Sequence, residues 1–282
     1  MKSKIHIVRP YNLLIIAATM IVLLVKYRNE TLDNYWLKAV LLIIPAVLTA
    51  AAGYVVNDIY DVETDKINKP EKLLIDVRIS KSNAWKLYAL LNISSLCVSY
   101  FFSQQYMIIN LSIIGILYLY SIQLKGTPLI GNIIVAMCSA AVIATCILLV
   151  NFEVEAGLLN FTGYVVFSFF ISLIREIVKD MQDMEGDKAA GYTTYPVLIG
   201  ARGAKILVYV LCGIEIMLCG IYSFLAWGID LRISSVIMGL ITIALFYFIN
   251  QLARAKTKED FASASHFLKF VMFAGVLNIP FC

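Results

Sequence analysis

The stretch from Asn57 to Asp65 reads Asn-Asp-Ile-Tyr-Asp-Val-Glu-Thr-Asp and follows directly on a long apolar segment. A second stretch, Asp180 to Asp187, reads Asp-Met-Gln-Asp-Met-Glu-Gly-Asp and also follows an apolar segment. Each contains three aspartates at offsets i, i+3 and i+7, which on a helix place the three carboxylates on one face. The aspartates are Asp58, Asp61 and Asp65 in the first cluster and Asp180, Asp183 and Asp187 in the second.

Like charges on one helix face repel each other, so the repeated pattern needs an explanation other than folding. A divalent cation removes the repulsion, and Mg²⁺ is commonly held by a few carboxylates together with phosphate oxygens of a substrate. Nine of the chain's 19 acidic residues lie in or beside the two stretches, which scattered loop charge would not produce. We therefore expect the two acidic clusters to bind a diphosphate through Mg²⁺.

The composition is that of an integral membrane protein. Of the 282 residues, 61% are hydrophobic and only 15% are charged, and the mean hydropathy is +0.83. A soluble domain is roughly half apolar and a quarter charged. The apolar residues form continuous runs rather than alternating with polar ones, which favours membrane helices over a barrel. We expect one all-α transmembrane domain over residues 1–282 and no nucleic-acid partner.

Nine apolar segments are predicted to span the membrane as a helical bundle, with the acidic clusters at its mouth. They are Tyr11–Val25, Trp36–Val56, Ala84–Phe102, Tyr106–Tyr120, Leu129–Val150, Leu158–Val178, Ile206–Trp227, Ile233–Ile249 and Phe267–Phe281. Several are shorter than the ~20 residues that cross a bilayer, so flanking polar residues are expected to extend them. Four predicted segments lie between the two clusters, and an even number of crossings places both clusters on the same side of the membrane. Most Lys and Arg residues fall on that side, so the N-terminus and both clusters are predicted to be cytoplasmic, at the plasma membrane.

Basic residues near the clusters are candidates for neutralising a diphosphate. Lys125 is the only charge in its loop and precedes Gly-Thr-Pro, so we expect it to contact substrate. For the other nearby lysines, the ordinary positive charge of cytoplasmic loops is an equally good explanation. They are Lys66, Lys69, Lys72, Lys179 and Lys188. The two histidines, His6 and His266, lie far in sequence from both clusters, which argues against a histidine-based triad or metal site.

The motifs Asn57-Asp58-x-x-Asp61-x-x-x-Asp65 and Asp180-x-x-Asp183-x-x-x-Asp187 resemble the two signatures of the UbiA superfamily of intramembrane prenyltransferases. The nine-segment layout is similar over essentially the whole chain. The resemblance implies a helical bundle with a central cavity. It also implies Mg²⁺-dependent transfer of a prenyl group from an isoprenyl diphosphate.

Other stretches resemble the geranylgeranylglyceryl-phosphate geranylgeranyltransferase branch of that superfamily. They are Arg9-Pro10-Tyr11-Asn12, the run Lys125-Gly126-Thr127-Pro128 with Gly131-Asn132, and Arg175 to Asp180 with Glu185-Gly186-Asp187. The resemblance implies a prenylglyceryl phosphate acceptor in membrane lipid synthesis. Homogentisate prenyltransferases and chlorophyll synthases have a similar second motif. An aromatic acceptor of quinone synthesis, such as 4-hydroxybenzoate, homogentisate or a naphthoate, therefore stays open.

The resemblance also implies roles for individual residues. The six aspartates hold Mg²⁺ on the donor and act in its reaction, with Asn57 as a further ligand or as support for a carboxylate. Lys125, with Lys69, Lys72 and Lys179, binds the diphosphate. Arg9, Asn12 and Arg175 bind the acceptor. A carboxylate-based cation or proton transporter is the alternative from another class, but transporter carboxylates tend to lie near the middle of the bilayer rather than at the ends of segments.

Overall fold

The computed structural model describes residues 6–68, 70–152 and 155–282, and its regular structure is helical. The ten α-helices of this part of the chain are α1 (Pro10–Lys26), α2 (Tyr35–Tyr60), α3 (Val62–Asn68), α4 (Lys81–Phe102), α5 (Gln104–Leu119), α6 (Ile130–Ala144), α7 (Glu155–Ala189), α8 (Tyr195–Gly228), α9 (Arg232–Arg254) and α10 (Lys258–Asn278). Short 3₁₀ turns cover Pro70–Lys72, Thr145–Leu148 and Ile279–Phe281, and a π-helical turn, Tyr120–Leu124, continues α5.

Nine of these helices are long, and each contains or overlaps one of the predicted segments. Seven described helices are long and apolar enough to cross a membrane by themselves. The other two long helices fall short, α1 because it has 17 residues and α4 because it is less apolar. Polar flanks extend most of the segments, as expected. The prediction of an all-α integral membrane protein is confirmed.

The departure from the predicted segments that bears on the acidic clusters is at α7. The sixth segment was expected to end at Val178, whereas the helix continues to Ala189 and carries the whole second acidic cluster. Six of its polar residues line an internal cavity: Arg175, Glu176, Lys179, Asp180, Asp183 and Asp187. The helix persists beyond the apolar run because this polar face lines that cavity instead of facing lipid.

The first acidic cluster does not lie on one unbroken helix. Helix α2 ends at Tyr60, Asp61 is its C-cap with φ −88° and ψ 2°, and α3 begins at Val62. The backbone nevertheless keeps helical hydrogen bonding across the break, from Asp61 N to Asn57 O (2.9 Å) and from Asp65 N to Asp61 O (2.7 Å). The predicted common face is therefore retained with a local change of direction.

Seven helices and the loops at one end surround the cavity: α1, α2, α3, α5, α6, α7 and α10. Among the described residues, α4, α8 and α9 contribute nothing to its wall and pack outside it. The main apolar core lies between α7 and α10 and the outer helices α8 and α9, with Ile174, Val208, Leu245 and Leu268 fully buried.

A polar cluster joins α2, α4 and α5 inside the bundle. The Thr49 hydroxyl donates to Asn110 Oδ1 (2.7 Å), Asn110 Nδ2 donates to Ser95 Oγ (2.6 Å), and the Ser95 hydroxyl donates to the carbonyl of Pro45 (2.9 Å). Helices in a membrane gain no hydrophobic energy from each other, so such interhelical hydrogen bonds contribute to their association.

Candidate active site

The two acidic clusters lie together at one end of the cavity, which has a volume of about 850 Å³. One comes from α2 and α3, the other from α7. The cavity wall includes all six predicted aspartates and Asn57. The two clusters therefore face the same side, as predicted, and their joint action on a ligand stays a prediction.

Asn68 at the end of α3 holds the two clusters together. Its Nδ2 donates to the carbonyl of Asp183 (3.0 Å), and its Oδ1 accepts from the amide of Gly186 (3.1 Å). A Cβ on Gly186 would collide with the Asn68 side chain. Glycine in the Glu-Gly-Asp sequence thus allows α3 to approach α7. Sequence reasoning missed Asn68 because its partners are more than 100 positions away.

Lys125 contacts the first cluster, as predicted for a substrate-binding lysine. Its ammonium forms an ion pair with Asp61 and donates to Asn57 Oδ1 (3.3 Å), while Asn57 Nδ2 donates to Asp61 Oδ2 (2.6 Å). Burial by itself would lower the pKa of Lys125, but the interactions with Asp61, Tyr120 and Tyr192 together raise it, which favours the charged lysine. Asn57 orients Asp61 in this arrangement.

Arg9 also contacts the first cluster, although the resemblance implied an acceptor role. Its guanidinium donates to Asp58 Oδ1 (2.7 Å) and lies 4.8 Å from the ring centroid of Tyr54. Asn12, one turn along α1, donates to the hydroxyl of Tyr54 (3.3 Å). Both side chains line the cavity. They stand beside the aspartates, within reach of the same ligand.

The second cluster is positioned by polar side chains from other segments. Asn132 on α6 donates to Asp180 Oδ2 (2.7 Å), and the Thr194 hydroxyl lies 3.4 Å from Asp187 Oδ2. Sequence reasoning quoted Asn132 but gave it no role. A Cβ on the preceding Gly131 would lie 2.9 Å from the carbonyl oxygen of Leu124, so glycine permits the close turn that presents Asn132.

The predicted basic residues have different surroundings. Lys179 and Arg175 both form ion pairs with Glu176 on α7, at 2.6 Å and 3.0 Å, and all three side chains line the cavity. Lys66 pairs with Glu63 (2.6 Å) on the exposed side of α3. Lys69 lies outside the described residues, and so does the side chain of Lys72.

The carboxylate-rich donor set suits Mg²⁺, a hard cation that prefers oxygen. Asp61 Oδ1 is buried and has no hydrogen-bond partner among the described residues, which leaves an oxygen for a cation. In the same part of the chain, no three acidic, histidine or cysteine side chains converge enough to enclose a metal by themselves. Mg²⁺ is usually held by one or two carboxylates together with waters and substrate phosphate oxygens.

Away from the charged end, the cavity wall is mainly apolar and runs into the bundle. Its residues include Ile113, Leu117, Phe167, Ile171, Met272 and Val276. The wall also holds polar residues that sequence reasoning gave no role, among them Arg78, Ser172 and Lys269. Lys269 interrupts the ninth apolar segment, and a charge within a span is itself a signal of function. The arrangement suits a ligand with a diphosphate head and an apolar chain.

A membrane-embedded helical bundle with two acidic clusters above an apolar cavity is the architecture of an intramembrane prenyltransferase. The chain belongs to the UbiA prenyltransferase family, whose profile matches residues 13–273. The resemblance stated from the two motifs is confirmed.

Relatives with assigned names are similar over the full length. Digeranylgeranylglyceryl phosphate synthase of Methanobrevibacter smithii is 30% identical over 296 residues, covering 100% of both chains. The synthase of the same name from Saccharolobus solfataricus is 32% identical and covers 100% of this chain and 98% of its own. A solved structure of a digeranylgeranylglyceryl phosphate synthase has a TM-score of 0.73 at 27% identity, covering 99% of this chain and 96% of that one.

A UbiA homologue from Archaeoglobus fulgidus, solved with GPP and Mg²⁺ bound, has a TM-score of 0.70 at 19% identity. It covers 98% of this chain and 99% of that one, and shows that the two share the fold.

Proposed function

We propose that this protein transfers a prenyl group, geranylgeranyl, from its diphosphate to the hydroxyl of a prenylglyceryl phosphate, with Mg²⁺ as cofactor. The observation that carries the proposal is the meeting of two aspartate clusters at the charged end of one apolar cavity. The full-length relatives bear the name of a synthase for such a lipid, which favours a glyceryl phosphate over an aromatic acceptor. The binding of GPP and Mg²⁺ by the Archaeoglobus homologue accords with the donor class and the cofactor.

The donor diphosphate is assigned to the acidic end of the cavity. Asp58, Asp61 and Asp65 from one side, and Asp180, Asp183 and Asp187 from the other, are the proposed metal ligands. Held by these residues, Mg²⁺ would neutralise the diphosphate and make it a better leaving group. Asn57 and Asn132 hold a carboxylate of each cluster in place.

Lys125 is the proposed direct contact to the leaving diphosphate. It is buried, charged and already within the first cluster, so it can stabilise negative charge as the bond between the prenyl carbon and oxygen breaks. Lys69, Lys72 and Lys179 are proposed to add to the positive potential around the diphosphate. The apolar wall of the cavity keeps water away from the allylic cation that results.

The acceptor is assigned to the same cavity, next to the donor. Arg9 and Asn12 from α1 and Arg175 from α7 are proposed to hold it, since all three line the cavity beside the clusters. Its hydroxyl attacks the prenyl carbon and forms the new ether bond. The proton passes to a cluster carboxylate or to the released diphosphate, and the ether product keeps both prenyl chains in the apolar part.

We infer that the N-terminus and the active site face the cytoplasm. The inference rests on the excess of Lys and Arg at the end of the bundle that carries the clusters. Lys66 is half exposed at that end and does not line the cavity. In sealed vesicles of known orientation, an impermeant amine reagent should label Lys66 only from the cytoplasmic face. Labelling of Lys66 from the opposite face would show that the inferred orientation is wrong.

The function is tested with purified protein in detergent, geranylgeranyl diphosphate and Mg²⁺. Geranylgeranylglyceryl phosphate and, separately, aromatic acids such as 4-hydroxybenzoate are offered, and products are identified by mass. We expect an ether product with the glyceryl phosphate that disappears on chelation of the metal. If product forms with an aromatic acid and not with the glyceryl phosphate, the proposed acceptor is wrong and the enzyme belongs to quinone synthesis.

A further inference from the structure

The cavity ends at a floor, on the side of the bundle away from the charged end. Among the described residues, Tyr164 is the cavity-lining residue of α7 farthest from the aspartates, and Ile279, just after α10, is the last lining residue of the chain. The core cluster that contains both continues with buried residues that do not line the cavity: Met20, Leu23, Cys146 and Phe161. Packed side chains therefore close the cavity at this end.

Polar contacts from α10 and the turn after it hold the Tyr164 ring in this floor. Asn278 Nδ2 donates to the Tyr164 hydroxyl (2.9 Å), and the same hydroxyl lies 3.0 Å from Cys282 Sγ. Both Tyr164 and Ile279 are buried. A buried ring whose hydroxyl is bound to two partners has little freedom to move aside, so the position of the floor is fixed.

The distance from the charged end to the floor follows from two walls of the cavity. On α7, Tyr164 precedes Asp180 by 16 residues, which is about 24 Å at 1.5 Å per residue. On the wall formed by α6 and the turn after it, Thr145 follows Asn132 by 13 residues, which is about 20 Å. Asn132 donates to Asp180, so both distances start at the same level. The cavity is therefore about 20–24 Å deep below the second cluster.

A geranylgeranyl chain matches this depth. An extended chain advances about 1.2 Å per bond, as the peptide backbone does at about 3.6 Å for three bonds, so the sixteen bonds from the diphosphate oxygen to the last carbon make about 19 Å. A cation between carboxylate and diphosphate takes up about 4 Å, two Mg–O bonds of about 2 Å each, and leaves about 16–20 Å of the cavity. A chain one isoprene unit longer needs about 24 Å, and a chain one unit shorter about 14 Å.

We propose that Tyr164 and Ile279 set the length of the prenyl chain that the enzyme accepts on its donor. This inference rests on the proposed function and deepens it, because it names the residues that select a donor of four isoprene units. The head of the donor is assigned to aspartates that include those of α7, and Tyr164 lies on the same helix. The donor chain, rather than the acceptor chain, therefore reaches the floor. A longer chain collides with the ring, and a shorter chain leaves apolar surface uncovered.

The test measures kcat/KM for donors of three, four and five isoprene units, with geranylgeranylglyceryl phosphate as the acceptor. We expect the wild type to use the five-unit donor about 10- to 100-fold less efficiently than geranylgeranyl diphosphate, which is the range in which a filled hydrophobic pocket discriminates. Tyr164→Ala removes the ring. It should raise kcat/KM for the five-unit donor, relative to the four-unit donor, by about the same factor.

Two further variants separate the floor from a general loss of packing. Tyr164→Phe keeps the ring and loses only the hydroxyl, so it should keep the preference for four units. Tyr35 is buried in the same core cluster but does not line the cavity. Tyr35→Ala removes the same volume as Tyr164→Ala and should lower the unfolding midpoint in detergent about as much, yet leave the donor preference as it is.

Failure of this proposal is distinguishable from failure of the proposed function. If the wild type transfers no prenyl group from any donor, the proposed function fails and the assignment of the floor falls with it. If the wild type is active but uses the four- and five-unit donors equally, or if Tyr164→Ala keeps the wild-type preference, the floor alone is wrong. A change in preference for the length of the acceptor chain, with the donor preference unchanged, would also overturn it.

A measurement on the wild type covers the case in which Tyr164→Ala does not fold. Geranylgeranyl diphosphate with a photoreactive diazirine on its last isoprene unit is bound with Mg²⁺ and irradiated, and the labelled residues are identified by mass spectrometry. We expect the label on Tyr164 or Ile279. A two-unit donor with the same group should label the cavity wall about 10 Å nearer the charged end, near Ile171. Labelling at one level by both probes would contradict the proposal.

Discussion

The Asn68 side chain packs directly against Gly186, and this contact joins the two acidic clusters. The carboxamide of Asn68 accepts from the Gly186 amide at 3.1 Å and donates to the carbonyl of Asp183 at 3.0 Å. Since Asp65 precedes Asn68 by one helical turn on α3, the contact sets the distance between the first cluster and the second. A site that binds one diphosphate from two sides depends on such a fixed separation.

Replacing Gly186 with alanine should separate the clusters. A methyl group there collides with the Asn68 side chain and breaks both hydrogen bonds. We expect Gly186→Ala to lower kcat/KM by about 10- to 100-fold, measured as product formation at fixed Mg²⁺. Gly213→Ala on α8 is the control, since its Cβ meets nothing within 4 Å and the change should be neutral or slightly stabilising. Equal activity of the two variants would show that the contact does not position the site.

Removing the charge of Lys125 should affect the chemical step. The lysine contacts Asp61 and Asn57 and is proposed to stabilise the leaving diphosphate. We expect Lys125→Gln to lower kcat by about 10²- to 10³-fold, measured at saturating donor and acceptor, with thermal unfolding as a check on folding. Lys66→Gln removes a nearby lysine that faces solvent, and its rate should stay near that of the wild type. A folded Lys125→Gln enzyme with normal kcat would refute the assigned role.

Asn132 should act on metal affinity through Asp180. It donates to Asp180 Oδ2 at 2.7 Å, and loss of a partner that orients a metal ligand typically costs 10- to 100-fold in affinity. We expect Asn132→Ala to raise the Mg²⁺ concentration for half-maximal rate by about that factor, with KM for the acceptor unchanged. On the same helix, the Ser139 hydroxyl donates to the carbonyl of Val135, and Ser139→Ala should leave the Mg²⁺ dependence as it is. If Asn132→Ala lowers the rate at every Mg²⁺ concentration alike, the residue does not support a metal ligand.

The polar cluster inside the bundle should contribute to stability. Asn110→Ala takes a hydrogen-bond partner from both Thr49 and Ser95, and we expect a loss of about 1–2 kcal/mol in the free energy of unfolding. Thermal unfolding in detergent measures it. Ser112→Ala, an exposed position on the same helix, should be close to neutral. A midpoint for Asn110→Ala equal to that of Ser112→Ala would mean that the cluster adds no net stability.

The features that the sequence could predict are those that depend on patterns of neighbouring residues. Apolar runs of membrane length identified the long helices, and two motifs with equal spacing identified the acidic clusters and the family. Each of these patterns lies within about twenty neighbouring residues. The continuation of α7 past Val178 was missed because hydropathy cannot distinguish a polar helix face inside a cavity from a polar loop.

Features that depend on distant contacts were not predictable in this way. Asn68 has no local pattern, and its role follows from lying opposite Gly186, 118 positions away. Lys179 was assigned to the diphosphate because it adjoins the second cluster, whereas the fold also pairs it with Glu176. Lys269 did carry a local signal, a charge inside an apolar segment, which was absorbed into the ninth predicted helix.

The most direct test of the account is whether both acidic clusters bind one donor. Mg²⁺-dependent binding of a non-reactive thio analogue of geranylgeranyl diphosphate is measured for the wild type, Asp58→Asn, Asp180→Asn and the double variant. If the clusters share the diphosphate, each single change removes most of the Mg²⁺-dependent binding and the double change adds little to it. Strictly additive losses, or normal Mg²⁺-dependent binding by either folded single variant, would contradict a shared metal–diphosphate site.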